Sequence, residues 1–345
     1  MTILVVDAGN TRIKWAIFAQ GVLDNAAQTE RPPHSTDHFQ TFAAQHWAPL
    51  APPARVVVAN VAGADFAETL AAWVKQTWHI EAEFVVPQRS ACGIHNAYLE
   101  PQKLGVDRWA GMVAAHRAIQ GGRGKKAKGP VCVIGCGTAI TFDVLTANGE
   151  HQGGLIVPGL TLMRRALLEN TQDILSKMGD AALGGDSSQT SLLAHDTQGG
   201  VNGGTLYTVI SVIDRVTTDL TAELGTGMTC IITGGDAPAL LPLLADHYRH
   251  EPLLVLQGLA IIAQAASILP PYTSQDTQKP LHPETTVAPG ILNPSLHSPA
   301  TLAPDRMPKC GERRDAQEPP HPCAAVAPGI PPPATLAHPC AAEDT

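Results

Sequence analysis

Three short turns in this 345-residue chain carry residue types suited to holding phosphate. Asp7-Ala8-Gly9-Asn10-Thr11 follows the apolar run 3–6, Gly135-Cys136-Gly137-Thr138 follows 131–134, and Thr233-Gly234-Gly235-Asp236 follows 230–232. Glycine lets a backbone approach a phosphate with no side chain in the way, and free amide donors at such turns form an anion nest. Either Gly-Thr turn alone reads as an ordinary hairpin. Two of them, with a Gly-Gly-Asp turn ahead of a helix, suit a nucleotide held between two lobes. Nothing matches G-x-x-x-x-G-K-[ST], and no G-x-G-x-x-G links a strand to a helix, so neither standard nucleotide fingerprint applies.

Two aspartates are placed to work on such phosphates. Asp7 closes the first strand beside its turn, where a carboxylate would hold Mg²⁺, an ion that takes few carboxylates plus phosphate oxygens. An Asx-turn is the structural alternative. Lys14, on the following strand, either reaches the β- and γ-phosphates as a point charge or is simply solvated. Asp107, in Leu104-Gly105-Val106-Asp107-Arg108, stands just ahead of the helical run 109–119. There it is either the N-cap or a general base aimed at a substrate hydroxyl, with Arg108 offering a fork that grips a carboxylate bidentately. Phosphoryl transfer asks mainly for positioning and charge stabilisation, so one base, one metal and amide-lined loops suffice.

The elements that must position these residues read as one plan stated twice. Residues 3–6 and then alternating Ile13, Trp15 and Ile17 give strand, turn, strand. Residues 56–58 add a buried strand, and 65–75 a helix after Gly63. In the second statement 131–134 is followed by alternating Ile140, Phe142 and Val144, then by Asn148-Gly149, a strong hairpin signal. Residues 155–157 continue the sheet, 161–169 has helical spacing, and 230–232 is a strand leading to a helix through Leu244. The fold class expected is α/β, with domains at 1–120 and 130–271. The basic stretch 121–129 between them reads as a connecting loop rather than a binding patch. Beyond, 272–345 is Pro-rich and repeats short units such as Val-Ala-Pro-Gly-Ile at 287 and 326, so a disordered tail is expected. The His321/Cys323 and His338/Cys340 pairs within it are read as solvated rather than as metal ligands.

Composition narrows the function classes. With 23 Lys+Arg against 31 Asp+Glu the formal charge is −8, which gives no field for a nucleic-acid backbone. Seven Cys without CxxC pairing argue against a disulfide framework or a zinc ribbon, and Cys132 and Cys136 read as small buried apolar residues. The start lacks a basic n-region, and no apolar run reaches the roughly 18 residues of a membrane span. A cytoplasmic protein with no membrane or nucleic-acid partner is expected.

Five segments, in order and in register, resemble the type III pantothenate kinases: Asp7-Ala-Gly-Asn-Thr-Arg-Ile-Lys14, Leu104-Gly-Val-Asp-Arg108, Gly137-Thr-Ala-Ile-Thr-Phe-Asp143, Gly153-Gly-Leu-Ile-Val-Pro-Gly159 and Thr233-Gly-Gly-Asp236. The resemblance spans about residues 1–268. It implies a duplicated actin-like fold of the sugar-kinase and Hsp70 superfamily, ribonuclease H-like in each half. It also implies transfer of the ATP γ-phosphoryl group to the 4′-hydroxyl of pantothenate, opening coenzyme A synthesis, in a homodimer. Asp107 matches the family's proton acceptor. Asp7, Ala8, Gly9, Asn10, Thr11, Arg12, Ile13 and Lys14 match its ATP-phosphate segment, with Asp7 toward Mg²⁺, and Thr138 matches its second ATP contact. Tyr98, Gly105, Val106, Asp107 and Arg108 match substrate-binding positions, and Thr197 resembles the threonine that reaches pantothenate across the dimer, a helix N-cap being its alternative. Many members carry an aspartate three residues before the second-loop threonine, toward K⁺ or NH₄⁺; here that position is Gly135, so the family's cation dependence is either in question or rests on backbone carbonyls. A nucleotide-binding regulator without turnover, or a sugar kinase on the same fold, are the competing readings.

Overall fold

The computed structural model describes residues 1–32, 36–120, 129–171, 193–225, 227–244 and 248–265. The expected tail 272–345, its His/Cys pairs and most of the basic stretch 121–129 lie outside the described residues.

The first sheet is built from β1 (Ile3–Ala8), β2 (Arg12–Ala19), β3 (Val22–Glu30), β4 (Arg55–Asn60) and β5 (Ala82–Phe84), in the order β3-β2-β1-β4-β5. A two-stranded ribbon, β6 (Ser90–Ala91) and β7 (Ile94–His95), follows. The second sheet holds β8 (Val131–Cys136), β9 (Ala139–Leu145), β10 (His151–Pro158), β11 (Thr229–Thr233) and β12 (Tyr248–His250), in the order β10-β9-β8-β11-β12. In both sheets the first three strands are antiparallel and the last two join in parallel. The same order twice is the duplicated ribonuclease H-like plan of the actin-like fold.

The central strands are continuous apolar runs because both of their faces are covered. Leu4, Val6 and Ala8 of β1 pack under α1 (Thr36–His46) and α2 (Ala64–Trp78), in a core rich in Trp15, Phe39, Phe42 and Trp47. Ile3 and Val5 point the other way, toward α3 (Val106–Ile119) and α7 (Leu254–Gln264). β8 repeats the division. Cys132, Ile134 and Cys136 face the side of α4 (Leu160–Asn170) and α5 (Thr197–Leu224), while Val131 and Val133 face α3. The cysteines thus serve as small core residues, and burial pushes the Cys136 thiol up to about 12.

Helix α3 is shared by both sheets. Val106 and Ala110 enter the core under the first sheet, and Trp109, Met112 and Val113 enter the core under the second. Ala110 and Gly111 let α7 approach so closely that a Cβ on Gly258 would lie 1.8 Å from the Ala110 carbonyl oxygen. The helix begins at Val106, with Gly105 as its N-cap, three residues earlier than the periodicity suggests. The helix expected after β11 is shorter than its sequence reading. A single turn, α6 (Ala237–Leu240), passes into a 3₁₀ turn at Leu241–Leu243, because Pro242 has no amide to continue the ladder.

Candidate functional site

The three glycine turns meet at the carboxyl ends of β1, β8 and β11. Gly9 N–H donates to the Arg12 carbonyl at 3.0 Å, closing the first hairpin. Gly137 N–H does the same to Ala139 at 3.1 Å. The hydroxyls of Thr11 and Thr138 lie 3.0 Å apart, so the two sheets' glycine turns touch each other there. The third turn is fastened to the second by Asp236 N–H, which donates to the Cys136 carbonyl at 3.1 Å. Glycine is required at 234 on two counts: its φ is +105°, and a Cβ there would lie 2.1 Å from the Cys136 oxygen. The guanidinium of Arg12 lies along Gly235, where a Cβ would come within 2.3 Å of Nη1. Asp236 is held between the positive fields of Arg12 and Arg164, yet burial is the larger effect and lifts its pKa.

Asp7 and Asp107 are brought together from opposite directions. Asp7 is the penultimate residue of β1, directly across the ladder from Lys14. Burial first, and the Asp107 carboxylate second, push its pKa up to about 7 against the pull of Lys14. Asp107 lies in the first turn of α3, and its Oδ1 accepts the Arg108 backbone N–H at 2.9 Å. Burial raises its pKa as well, while Arg108 opposes. The carboxylate folds back over Gly105, where a Cβ would sit 2.7 Å from Oδ1. Asp107 is therefore not the N-cap. Its backbone is helical, and its side chain lies in the partly dry space beside Asp7.

Arg108 departs from its sequence reading. Its Nε donates to Asp143 Oδ2 at 2.8 Å and its Nη2 to Asp143 Oδ1 at 2.6 Å, so the fork expected to grip a substrate carboxylate is already filled from within the protein. Nη1 donates to the Tyr98 hydroxyl at 2.9 Å. Three of the five guanidinium N–H groups are thus used, which leaves one on each of Nη1 and Nη2. Tyr98 remains beside Asp107 through this arginine. Thr197 is placed elsewhere, as the first residue of α5, whose N-cap is Asp196 accepting the Gly199 N–H at 2.7 Å. It lines a cleft of about 680 Å³ between α4 and α5, with Leu162, Met163, Leu167 and Val201.

Asp143 and His151 belong to the same cluster, and the chemical reading of the sequence passed over both. The signal available for Asp143 was an acidic residue in a strand position that is otherwise apolar, among Phe142, Val144 and Leu145. Among the described residues, no group of three or more His, Cys, Asp or Glu side chains is arranged to hold a metal alone. Asp7, buried and lifted by a neighbouring negative charge, suits a cation that arrives already bound to phosphate. Gly135 brings no side-chain ligand for a cation. It occupies in β8 the place Asp7 holds in β1, it offers no carboxylate, and a Cβ there would lie 2.6 Å from Thr141 Oγ1.

Among solved structures the chain is similar to a glucokinase from an Antarctic psychrotroph, at 14% identity over 76% of this chain and 98% of that one, with a TM-score of 0.38. Relatives called type III pantothenate kinase are much nearer in sequence. The protein from Nitrosococcus oceani is 42% identical over 265 residues, covering 77% of this chain and 95% of that one. The protein from Burkholderia cenocepacia strain HI2424 is 35% identical over 278 residues, 79% and 98% of the two chains. The one from Paraburkholderia phymatum is 33% identical over 288 residues, 77% and 96%. The profile of the type III pantothenate kinases matches residues 3–219, and with these five-segment turns in place the chain belongs to that family.

Proposed function

We propose that this chain carries out its family's reaction, transfer of the ATP γ-phosphoryl group to the 4′-hydroxyl of pantothenate, with Asp107 as the proton acceptor. The observation that carries the reading is the meeting of Asp107 with Asp7 beside the paired Thr11 and Thr138 turns. Residues Ala8 to Lys14 and Thr138 line the triphosphate, with backbone amides and the Lys14 charge toward the phosphates. Thr233 to Asp236 close over the nucleoside, with Gly235 flat against Arg12. Mg²⁺, when bound, neutralises charge on the transferring phosphoryl group, and Asp7 is the residue that would hold it. Asp107 takes the hydroxyl proton as the new P–O bond forms. A carboxylate with a raised pKa is a stronger base than a free one, and the enclosed site keeps water from competing. Tyr98, Gly105, Val106 and Arg108 wall the pantothenate side.

A second copy completes the site. Leu162 and Leu167, which line the α4–α5 cleft that holds Thr197, are 42% and 38% exposed. Covering this apolar face in a homodimer would carry Thr197 toward the partner's pantothenate. Among the described residues no helix is long and apolar enough to cross a membrane, and the cytoplasm supplies both substrates. The test is a coupled ADP-release assay with pantothenate against a panel of sugars. Pantothenate alone should support turnover, and Asp107→Asn should lower kcat by about 10²–10⁴-fold while leaving ATP binding intact. Equal turnover on a sugar, or an unaffected variant, overturns the reading.

A further inference from the structure

His151 belongs to none of the three turns, yet it is 4% exposed and tied through Asp143 to Arg108, the neighbour of Asp107. Its Nε2 lies 3.2 Å from Asp143 Oδ1, and its Nδ1 lies 3.5 Å from the Ala97 amide nitrogen. A backbone amide can only donate, so Nδ1 is the acceptor and the ring proton sits on Nε2, donated to Asp143. The imidazole also stacks on Tyr98, with ring centroids 6.1 Å apart and planes 13° apart. Asp143, itself 1% exposed, receives both Arg108 N–H groups and that of His151. Such a carboxylate is held on three sides and cannot turn.

The same imidazole joins the lobes. His151 and Asp143 belong to the second sheet, while Tyr98 and Arg108 belong to the segment that follows the first. The Tyr98 loop is fastened by Arg89, which donates to the carbonyls of Asn96, Tyr98 and Leu99 at 3.0, 2.6 and 2.6 Å. His95 N–H reaches across to the Gly149 carbonyl at 2.9 Å. Gly154 keeps the space open, since a Cβ there would lie 2.7 Å from both Arg108 Nη2 and Asp143 Oδ1.

We propose that His151 is a positioning residue for phosphoryl transfer. It locks Asp143 and Tyr98 so that Arg108 holds the first turn of α3, and with it the Asp107 carboxylate, on the acceptor hydroxyl. This rests on Asp107 being the proton acceptor. A base displaced by about an ångström loses on the order of 10²-fold in rate, which sets the scale of the effect.

The test compares His151→Leu, His151→Gln, Tyr98→Phe and the Leu/Phe double variant in the full chain. His151→Leu should lower kcat about 10- to 100-fold and raise KM for pantothenate, with KM for ATP within about 2-fold of wild type. His151→Gln keeps a donor toward Asp143 and should recover most of the loss. In the Tyr98→Phe background, His151→Leu should cost far less than alone, because both act through Arg108. Nitrogen-15 NMR of the wild-type imidazole should show the Nε2–H tautomer, a readout independent of turnover. Wild-type kinetics in His151→Leu, multiplicative effects in the double variant, or an Nδ1–H tautomer would each overturn the proposal. Full activity in Asp107→Asn would instead overturn the base assignment, a separate failure.

Discussion

Replacing Asp7 with Asn should stabilise the fold near neutral pH while damaging the use of Mg-ATP. Burial and the Asp107 charge carry the Asp7 carboxyl from its ordinary 3.8 up to about 7. A carboxyl whose native pKa exceeds its unfolded one adds stability that is complete below 3.8 and is lost as pH rises through 7. That gap converts to roughly 4 kcal/mol at full desolvation. The side chain keeps some contact with solvent, so about 2 kcal/mol is the expectation. Asn cannot ionise and is spared the loss. The variant should therefore match wild type at about pH 4, pull ahead across about pH 5–7 and hold a constant lead above. For a folded region of this size, 2 kcal/mol is a lead of about 4–8 °C in Tm. Calorimetry of both proteins across this range measures it. Saturating Mg-ATP should narrow the gap, because a cation beside the carboxylate removes the cost in wild type only. A Tm difference that is flat with pH, or a variant less stable than wild type at about pH 8, would refute the account of Asp7 as a destabilised, cation-seeking carboxylate.

Asp107 titrates upward for the same reason, so kcat/KM for pantothenate should fall on acidification at higher pH than an ordinary carboxylate would dictate; a profile flat down to about pH 4.5 would remove Asp107 as the base. With glycine at 135, turnover in KCl or NH₄Cl should equal that in choline chloride within about 2-fold, and activation of about 10-fold by K⁺ would show a cation site built from other groups. Leu162→Glu, in the exposed apolar lining of the Thr197 cleft, should shift sedimentation toward monomer and raise KM for pantothenate; a dimer of unchanged stability would place the interface elsewhere.

What the sequence disclosed is what local chemistry encodes. The apolar runs at β1 and β8 announce strands covered on both faces, and the Asn148-Gly149 turn announces the β9–β10 hairpin, with Gly149 at φ +87°. The start of α3 was misplaced because Val106 and Asp107 are weak helix formers that tertiary packing against both sheets overrides. The strands β5, β6 and β7, of two or three residues, carry too little pattern to be seen. Arg108 was read as a free fork because its partner Asp143 lies 35 residues away, with no periodicity connecting the two. His151, eight residues beyond Asp143 and across a β-bulge, was invisible for the same reason. Long-range pairing of charged groups is decided by the fold, and only the fold reveals which donors are already spent.

The duplicated strand order also sets one strand end that carries a carboxylate against an equivalent one that carries none. Asp7 pairs with Lys14 and Ala59, and Gly135 pairs with Thr141 and Thr233, so the two residues are equivalent in sheets of equal order. A second aspartate at 135 would add another negative charge on the strand end equivalent to that of Asp7, whose pKa burial and the Asp107 charge already raise. In a nearly dry pocket each added like charge pushes the neighbouring pKa values further up. The cost of ionising Asp7 would rise further unless an alkali cation were bound to compensate. Glycine at 135 removes both that charge and the side chain that would hold its counter-ion. In the proposed reaction that leaves Asp7 to take the metal with the phosphates and Asp107 to take the proton.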